Sequence, residues 1–144
     1  MRILALDLGE KNVGVAVSDK LELTSNPRGS IRGDATLQDR VLQLIEAEEA
    51  GEVIIGLPLL MSGEEGTQAQ RAREFAASLA ERTAVPVRTW DERLTTRQAE
   101  RALIAADVRR ARRRRQIDQQ AAALILDGYL RYRSLRRGGG EESA

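Results

Sequence analysis

Arg2–Leu8 reads RILALDL and Asn12–Asp19 reads NVGVAVSD, with only Gly9-Glu10-Lys11 between them. The first is a short apolar run stopped by a glycine, the pattern of a strand buried on both faces. In the second, Val13, Val15 and Val17 alternate with Gly14, Ala16 and Ser18, the two-residue period of a strand. Two strands joined by so short a link predict an antiparallel hairpin.

Beyond the hairpin, Leu21–Arg32 is mixed, is broken by Asn26-Pro27, and is expected to add a weaker third strand. Asp34 is placed to cap a helix on which Leu37, Val41, Leu44 and Ile45 recur at helical spacing to about Ala50. Glu52–Leu57 (EVIIGL) reads as a buried strand closed by Pro58. After a polar loop, Ser62–Gly66, a helix is expected over Thr67–Arg82 with Ala72, Phe75, Ala76 and Leu79 inward. Val85–Trp90 is a further strand. Thr95 and Gln98 have capping-box spacing and start a helix to about Ala106. Arg109–Arg115 interrupts, and Ile117 to about Arg133 is the last helix. A leading hairpin followed by βα alternation predicts an α/β fold, a mixed sheet with helices on both faces. No repeat or linker appears, so residues 1–137 are expected to form one domain and 138–144 a disordered tail.

The 144 residues include 23 basic and 22 acidic side chains but no histidine and no cysteine. These absences exclude a Ser-His-Asp triad, a cysteine nucleophile, a disulfide and an ordinary zinc site. Catalysis has to draw on carboxylates, Lys, Ser/Thr or Tyr, with a hard cation as the fitting partner. A reducing cytoplasm suits the lack of cysteine. No signal peptide is expected, and no apolar run approaches the roughly 20 residues of a membrane span, so no membrane partner is expected. The net charge of +1 hides a division. Asp34–Glu92 carries 12 acids and 5 bases, whereas Arg97–Gly140 carries 12 arginines and 4 acids. Only Lys11 and Lys20 are lysines. Clustered arginine favours a nucleic-acid partner, because the guanidinium grips phosphate bidentately.

Three carboxylates stand out. Asp7 shares a strand face with Ile3 and Ala5, and a charge at the end of so apolar a strand needs a counter-charge or a cation. A salt bridge to Lys11 or a cap of the following turn would satisfy it; so would a metal ion. Asp118 falls on one helical face with Ala121, Ala122 and Ile125, in the first turn of the last helix. A plain helix cap is the simple account there, a metal ligand the functional one. Asp91 and Glu92 end a strand and alternate across its faces, so only one of them can join Asp7. Asp127, four residues before Arg131, reads as a solvated ion pair. Carboxylates converging from a first strand, a later strand end and the last helix suit Mg²⁺ or Mn²⁺. Such ions activate water and stabilise the leaving oxygen of a phosphodiester.

DLGEKNVGVAVSD (Asp7–Asp19), VIIGLPLLMSGEEG (Val53–Gly66), DERLTT (Asp91–Thr96) and IDQQAAALILDGYL (Ile117–Leu130) resemble, in order, the four signature blocks of the YqgF/RuvX family. The resemblance implies an RNase H-like fold and a metal-dependent nuclease, either a Holliday junction resolvase or a nuclease maturing the 5′ end of pre-16S rRNA. It maps the catalytic, metal-holding triad onto Asp7, Glu92 and Asp118, which decides between Asp91 and Glu92. Asn12, Leu60 and Ser62 depart from the family pattern, all on expected substrate-side loops.

Arg109, Arg110, Arg112, Arg113, Arg114 and Arg115 crowd into seven positions just before Asp118. With Lys11 and Arg93 they are candidate phosphate contacts, setting affinity and register rather than sequence choice. Aromatics are few (Phe75, Trp90, Tyr129, Tyr132), so base stacking is not expected to dominate. The expected partner is branched DNA or precursor rRNA, bound by a monomer or a homodimer. Two other readings remain: a non-catalytic RNA-binding assembly factor with the same fold, and a phosphate-cradling hairpin of the actin-like or sugar-kinase kind. The latter needs two such domains, more than this length supplies.

Overall fold

β1 (Arg2–Leu8) and β2 (Asn12–Ser18) pair antiparallel, with Leu4 opposite Val17 and Asp7 opposite Gly14, as the hairpin pattern predicts. The structure, a computed structural model, describes residues 1–58, 66–91 and 121–136. β3 (Ser25–Arg32) pairs antiparallel with β2, and β4 (Ala50–Leu57) and β5 (Val87–Asp91) follow parallel to β1 in the order β3-β2-β1-β4-β5. The sheet is mixed, as expected.

Ile3, Leu4, Ala5 and Leu6 are all fully buried, because β1 is central and covered on both faces. Leu4 and Leu6 join Val13, Val15, Val53 and Ile55 beneath α1 (Leu37–Ala47) and α2 (Thr67–Arg82). Ile3, Ala5, Ala16 and Ile54 form the opposite core with Ala122, Ile125, Leu126 and Leu130 of α3, described over 121–136. Helices thus lie on both faces. Ser25 Oγ donates to Ala123 O at 2.6 Å, and the Tyr129 hydroxyl donates to Glu52 Oε1 at 2.6 Å. These two contacts show α3 crossing the sheet from β3 to β4.

Several boundaries differ from expectation for local reasons. The third strand begins at Ser25 rather than Leu21, because Asp19 Oδ1 accepts from the Leu23 and Thr24 amides at 2.7 and 2.9 Å and closes a turn. Those bonds hold the Asp19 carboxyl below its ordinary pKa, the Thr24 amide contributing most. Pro27 is tolerated inside β3, since this strand forms the sheet edge among the described residues and shifts register against β2 between Gly14 and Ala16. Asp34 does not cap α1. Its carboxylate accepts instead from Thr36 N and Oγ1, and the helix starts at Leu37. α1 stops at Ala47, before the expected Ala50, where Glu49 turns left-handed (φ 53°) and the chain enters β4. α2 has the predicted bounds, with Ala72, Ala76 and Leu79 buried and Phe75 packed beside them.

The link between β1 and β2 has little room. Gly9 N donates to Asn12 O at 3.0 Å, and a Cβ on Gly9 would come within 2.6 Å of that same oxygen. Gly9→Ala is therefore expected to cost about 1–3 kcal/mol by forcing the turn open, read as a lower midpoint in urea unfolding. An unchanged midpoint would show that the turn relaxes freely.

Candidate active site

Asp7 is half-buried near the carboxyl end of β1. Strand alternation places it with Ile3 and Ala5 on the α3 side of the sheet, as the sequence pattern predicts. Its partner across the ladder is Gly14. Parallel α/β sheets present their functional groups at this carboxyl end.

The turn after Asp7 is clamped from two sides. Arg71 on α2 donates from Nη1 to Gly9 O at 3.1 Å, and Gly33 N donates to Lys11 O at 2.8 Å. The clamp fixes the backbone of Lys11 and leaves its side chain exposed beside the Asp7 end of the strand. Arg71 is not among the sequence candidates. An arginine on an otherwise ordinary amphipathic helix carries no local signal that it will reach a turn 62 residues away.

Asp91 ends β5 half-buried, in register with Leu57. Val87 packs toward the α1/α2 core and Trp90 toward the α3 core, so Asp91 falls on the face opposite Asp7. Asp127 pairs with Arg131 at 3.7 Å with both side chains largely exposed, the solvated pair expected. Glu92, Arg93, Arg109, Arg110, Arg112, Arg113, Arg114, Arg115 and Asp118 lie outside the described residues. Among the described residues no three carboxylates converge into a cation site, and of the three carboxylates expected to form one only Asp7 is described.

The structure assembles a second polar group that periodicity does not reveal. Glu52, the third residue of β4, is an acidic side chain only 2% exposed. Arg133 Nη1 donates to its Oε2 at 2.7 Å, Arg88 Nε lies 2.8 Å from its Oε1, and the Tyr129 hydroxyl completes the set. Arg133 Nε also lies 2.9 Å from Glu22 Oε1. Burial first, and the Glu52 hydrogen bond second, raise the Tyr129 hydroxyl above its ordinary pKa.

A family model described as RuvX, Holliday junction resolvase, matches residues 1–132. The chain belongs to the RuvX family. A relative from Desulfitobacterium hafniense named "Putative pre-16S rRNA nuclease" is 42% identical over 142 residues, covering 99% of this chain and 100% of its own. One of the same name from Myxococcus xanthus is 48% identical over 132 residues, 90% of this chain and 87% of its own. Among solved structures, Thermus thermophilus RuvC in complex with a Holliday junction substrate superposes with a TM-score of 0.60 at 17% identity, covering 93% of this chain and 96% of that one. The fowlpox virus Holliday junction resolvase gives 0.54 at 14% identity over 92% and 99%. The likeness to these resolvases bears out the expected RNase H-like fold. No helix among the described residues is long and apolar enough to cross a membrane.

Proposed function

We propose that this RuvX-family protein is a nuclease that hydrolyses phosphodiesters of structured nucleic acid, branched DNA or precursor rRNA, with Mg²⁺ or Mn²⁺ held by Asp7, Glu92 and Asp118. The observation that carries the reading is the place of Asp7: a half-buried carboxylate at the carboxyl end of the central strand, held by a clamped turn. Family membership and the names of the relatives support nuclease chemistry. Asp91 stands on the wrong face, which favours Glu92 as the carboxylate from the β5 end.

The donor set fits a hard divalent cation. Carboxylate oxygens are its preferred ligands, and a chain without histidine or cysteine lacks the usual softer ones. Bound there, the ion would supply an activated water and charge compensation for the leaving oxygen. The protein contributes rigidity: β1 is fixed on both faces, so Asp7 holds its oxygens without reorganising. Lys11 and Arg93 offer charge to the phosphates flanking the cut, and the run from Arg109 to Arg115 offers more. Replacing several arginines of that run by alanine is expected to weaken binding and reduce the slope of log affinity against log salt by roughly 0.9 for each phosphate no longer neutralised. An unchanged slope would remove the run from the interface.

Labelled four-way junction DNA and precursor rRNA, offered side by side to the purified protein with Glu92→Gln as control, test the reading and choose the substrate. Cleavage of one and not the other names it. Paired cuts in a junction would require two copies of the chain acting together. Binding of rRNA with no cleavage of either would replace the nuclease by a non-catalytic assembly factor.

A further inference from the structure

Away from Asp7, the β5 edge and the later turns of α3 enclose an open groove of about 440 Å³, lined by Arg88, Tyr129, Tyr132, Arg133 and Arg136. The volume suits a nucleotide-sized group. Trp90 packs against two of these lining residues, with ring centroids 5.4 Å from Tyr129 and 5.2 Å from Tyr132. Three of the four aromatic residues in the chain are therefore gathered at one place. The floor is stiff. Arg88 and Arg133 share Glu52, and Arg133 also meets Glu22. Arg136 is different: it is exposed, donates to the Tyr132 hydroxyl at 3.1 Å and lies 5.8 Å above the Tyr132 ring. Arg88 and Arg133 meet the two carboxylates, and Arg136 adds a positive charge that neither of them pairs. Arg88, at 63% side-chain exposure, and Tyr132, at 41%, stay open to solvent.

The groove also lies on the catalytic side of the sheet. Arg88 is in register with Ile54, and Ile54 with Ala5, two residues before Asp7. Trp90 thus lies about level with Asp7 on the same face, two strand spacings or about 10 Å away.

We propose that this groove is a single-stranded nucleic-acid subsite, in which Arg136 moves from over the Tyr132 ring to hold a backbone phosphate with Arg88, and the ring it uncovers stacks an adjoining base. It rests on the nucleic-acid reading above and adds a contact that the arginine run does not supply. An exposed tyrosine bordered by arginines offers stacking and cation–π contact to any base, with little sequence preference. It would hold a single-stranded flank of the substrate, unlike the shape recognition of a paired region.

The chain contains one tryptophan, so its fluorescence reports on this place directly. A short fluorescein-labelled single strand, made as RNA and as DNA, is titrated in EDTA so that no cleavage intervenes; Trp90 emission is followed with the unlabelled strand and affinity by anisotropy. Binding is expected to change Trp90 emission. Tyr132→Ala and, separately, Arg136→Glu should each weaken it about tenfold, and Arg136→Glu should lower the salt slope. Arg131→Glu, the same charge change at an exposed residue outside the groove, should stay within about twofold of wild type. Arg136 is exposed, so its variant remains informative should Tyr132→Ala fold poorly. Unchanged tryptophan emission on binding, groove variants no weaker than Arg131→Glu, or no binding by the wild-type protein would each overturn the subsite. A preference between the RNA and DNA arms identifies the strand that the subsite serves. Groove-dependent binding in a protein that cleaves nothing would keep the subsite and remove the nuclease.

Discussion

Asp7→Asn is expected to lower the rate of phosphodiester cleavage by more than about a hundredfold and to leave the fold intact. Outer residues that merely orient metal ligands are worth roughly 10–100-fold in affinity or activity, and a carboxylate holding the ion itself should exceed that. Asparagine keeps the shape and one oxygen but loses the charge, so the variant separates electrostatics from packing. Asp7 is half-buried at a strand end and lies opposite a glycine, so no large packing rearrangement follows. Thermal stability should change little, because asparagine keeps the size and shape of the aspartate side chain. Initial rates on a labelled substrate, with a melting curve for each protein, check both halves. Undiminished cleavage by a folded Asp7→Asn protein would remove Asp7 from the chemistry.

The largest expected effect on stability lies elsewhere, at Glu52. Removing it would leave the Tyr129 hydroxyl without its acceptor and Arg133 with Glu22 in place of two carboxylates, in a site where Glu52 is 2% exposed. Breaking a buried pair from one side costs about 3–5 kcal/mol, so Glu52→Ala should lower Tm by roughly 10 °C or more. Arg88 contributes little to that figure, since its largely exposed side chain can turn to water. Glu52→Gln should lose less, because an amide oxygen still accepts from Tyr129 or Arg133. Combining Glu52→Ala with Tyr129→Phe should cost less than the two single changes together, since both act on one network. Strict additivity of the two would show that the hydroxyl and the carboxylate are energetically independent.

The regular parts of this molecule are legible in the sequence because their signals are local. The apolar run of β1, the alternation of β2 and the spacing of α2 each reflect contacts repeating every two or four residues, and the structure reproduces them. Asp7 is legible for the same reason, as a charge interrupting a local apolar pattern. Asp34 misleads, since an aspartate before a helix can serve the preceding turn equally well, and here it bonds Thr36. Glu52 and the Trp90–Tyr129–Tyr132 cluster escape because their partners are far apart in the chain, 77 residues between Glu52 and Tyr129. Few aromatics argue against base stacking, yet the crossing of α3 over the sheet brings Tyr129 and Tyr132 into one groove with Trp90 packed against them.

Catalysis by Asp7 and its partner carboxylates is expected to run through a divalent cation. The sharpest test is the cleavage rate of labelled junction DNA and precursor rRNA by the purified protein in Mg²⁺ or Mn²⁺, in EDTA, and after the cation is restored. At least one substrate should be cleaved with the cation, neither should be cleaved in EDTA, and activity should recover when Mg²⁺ or Mn²⁺ is returned in excess. Cleavage continuing at the same rate in EDTA would refute a cation-dependent mechanism.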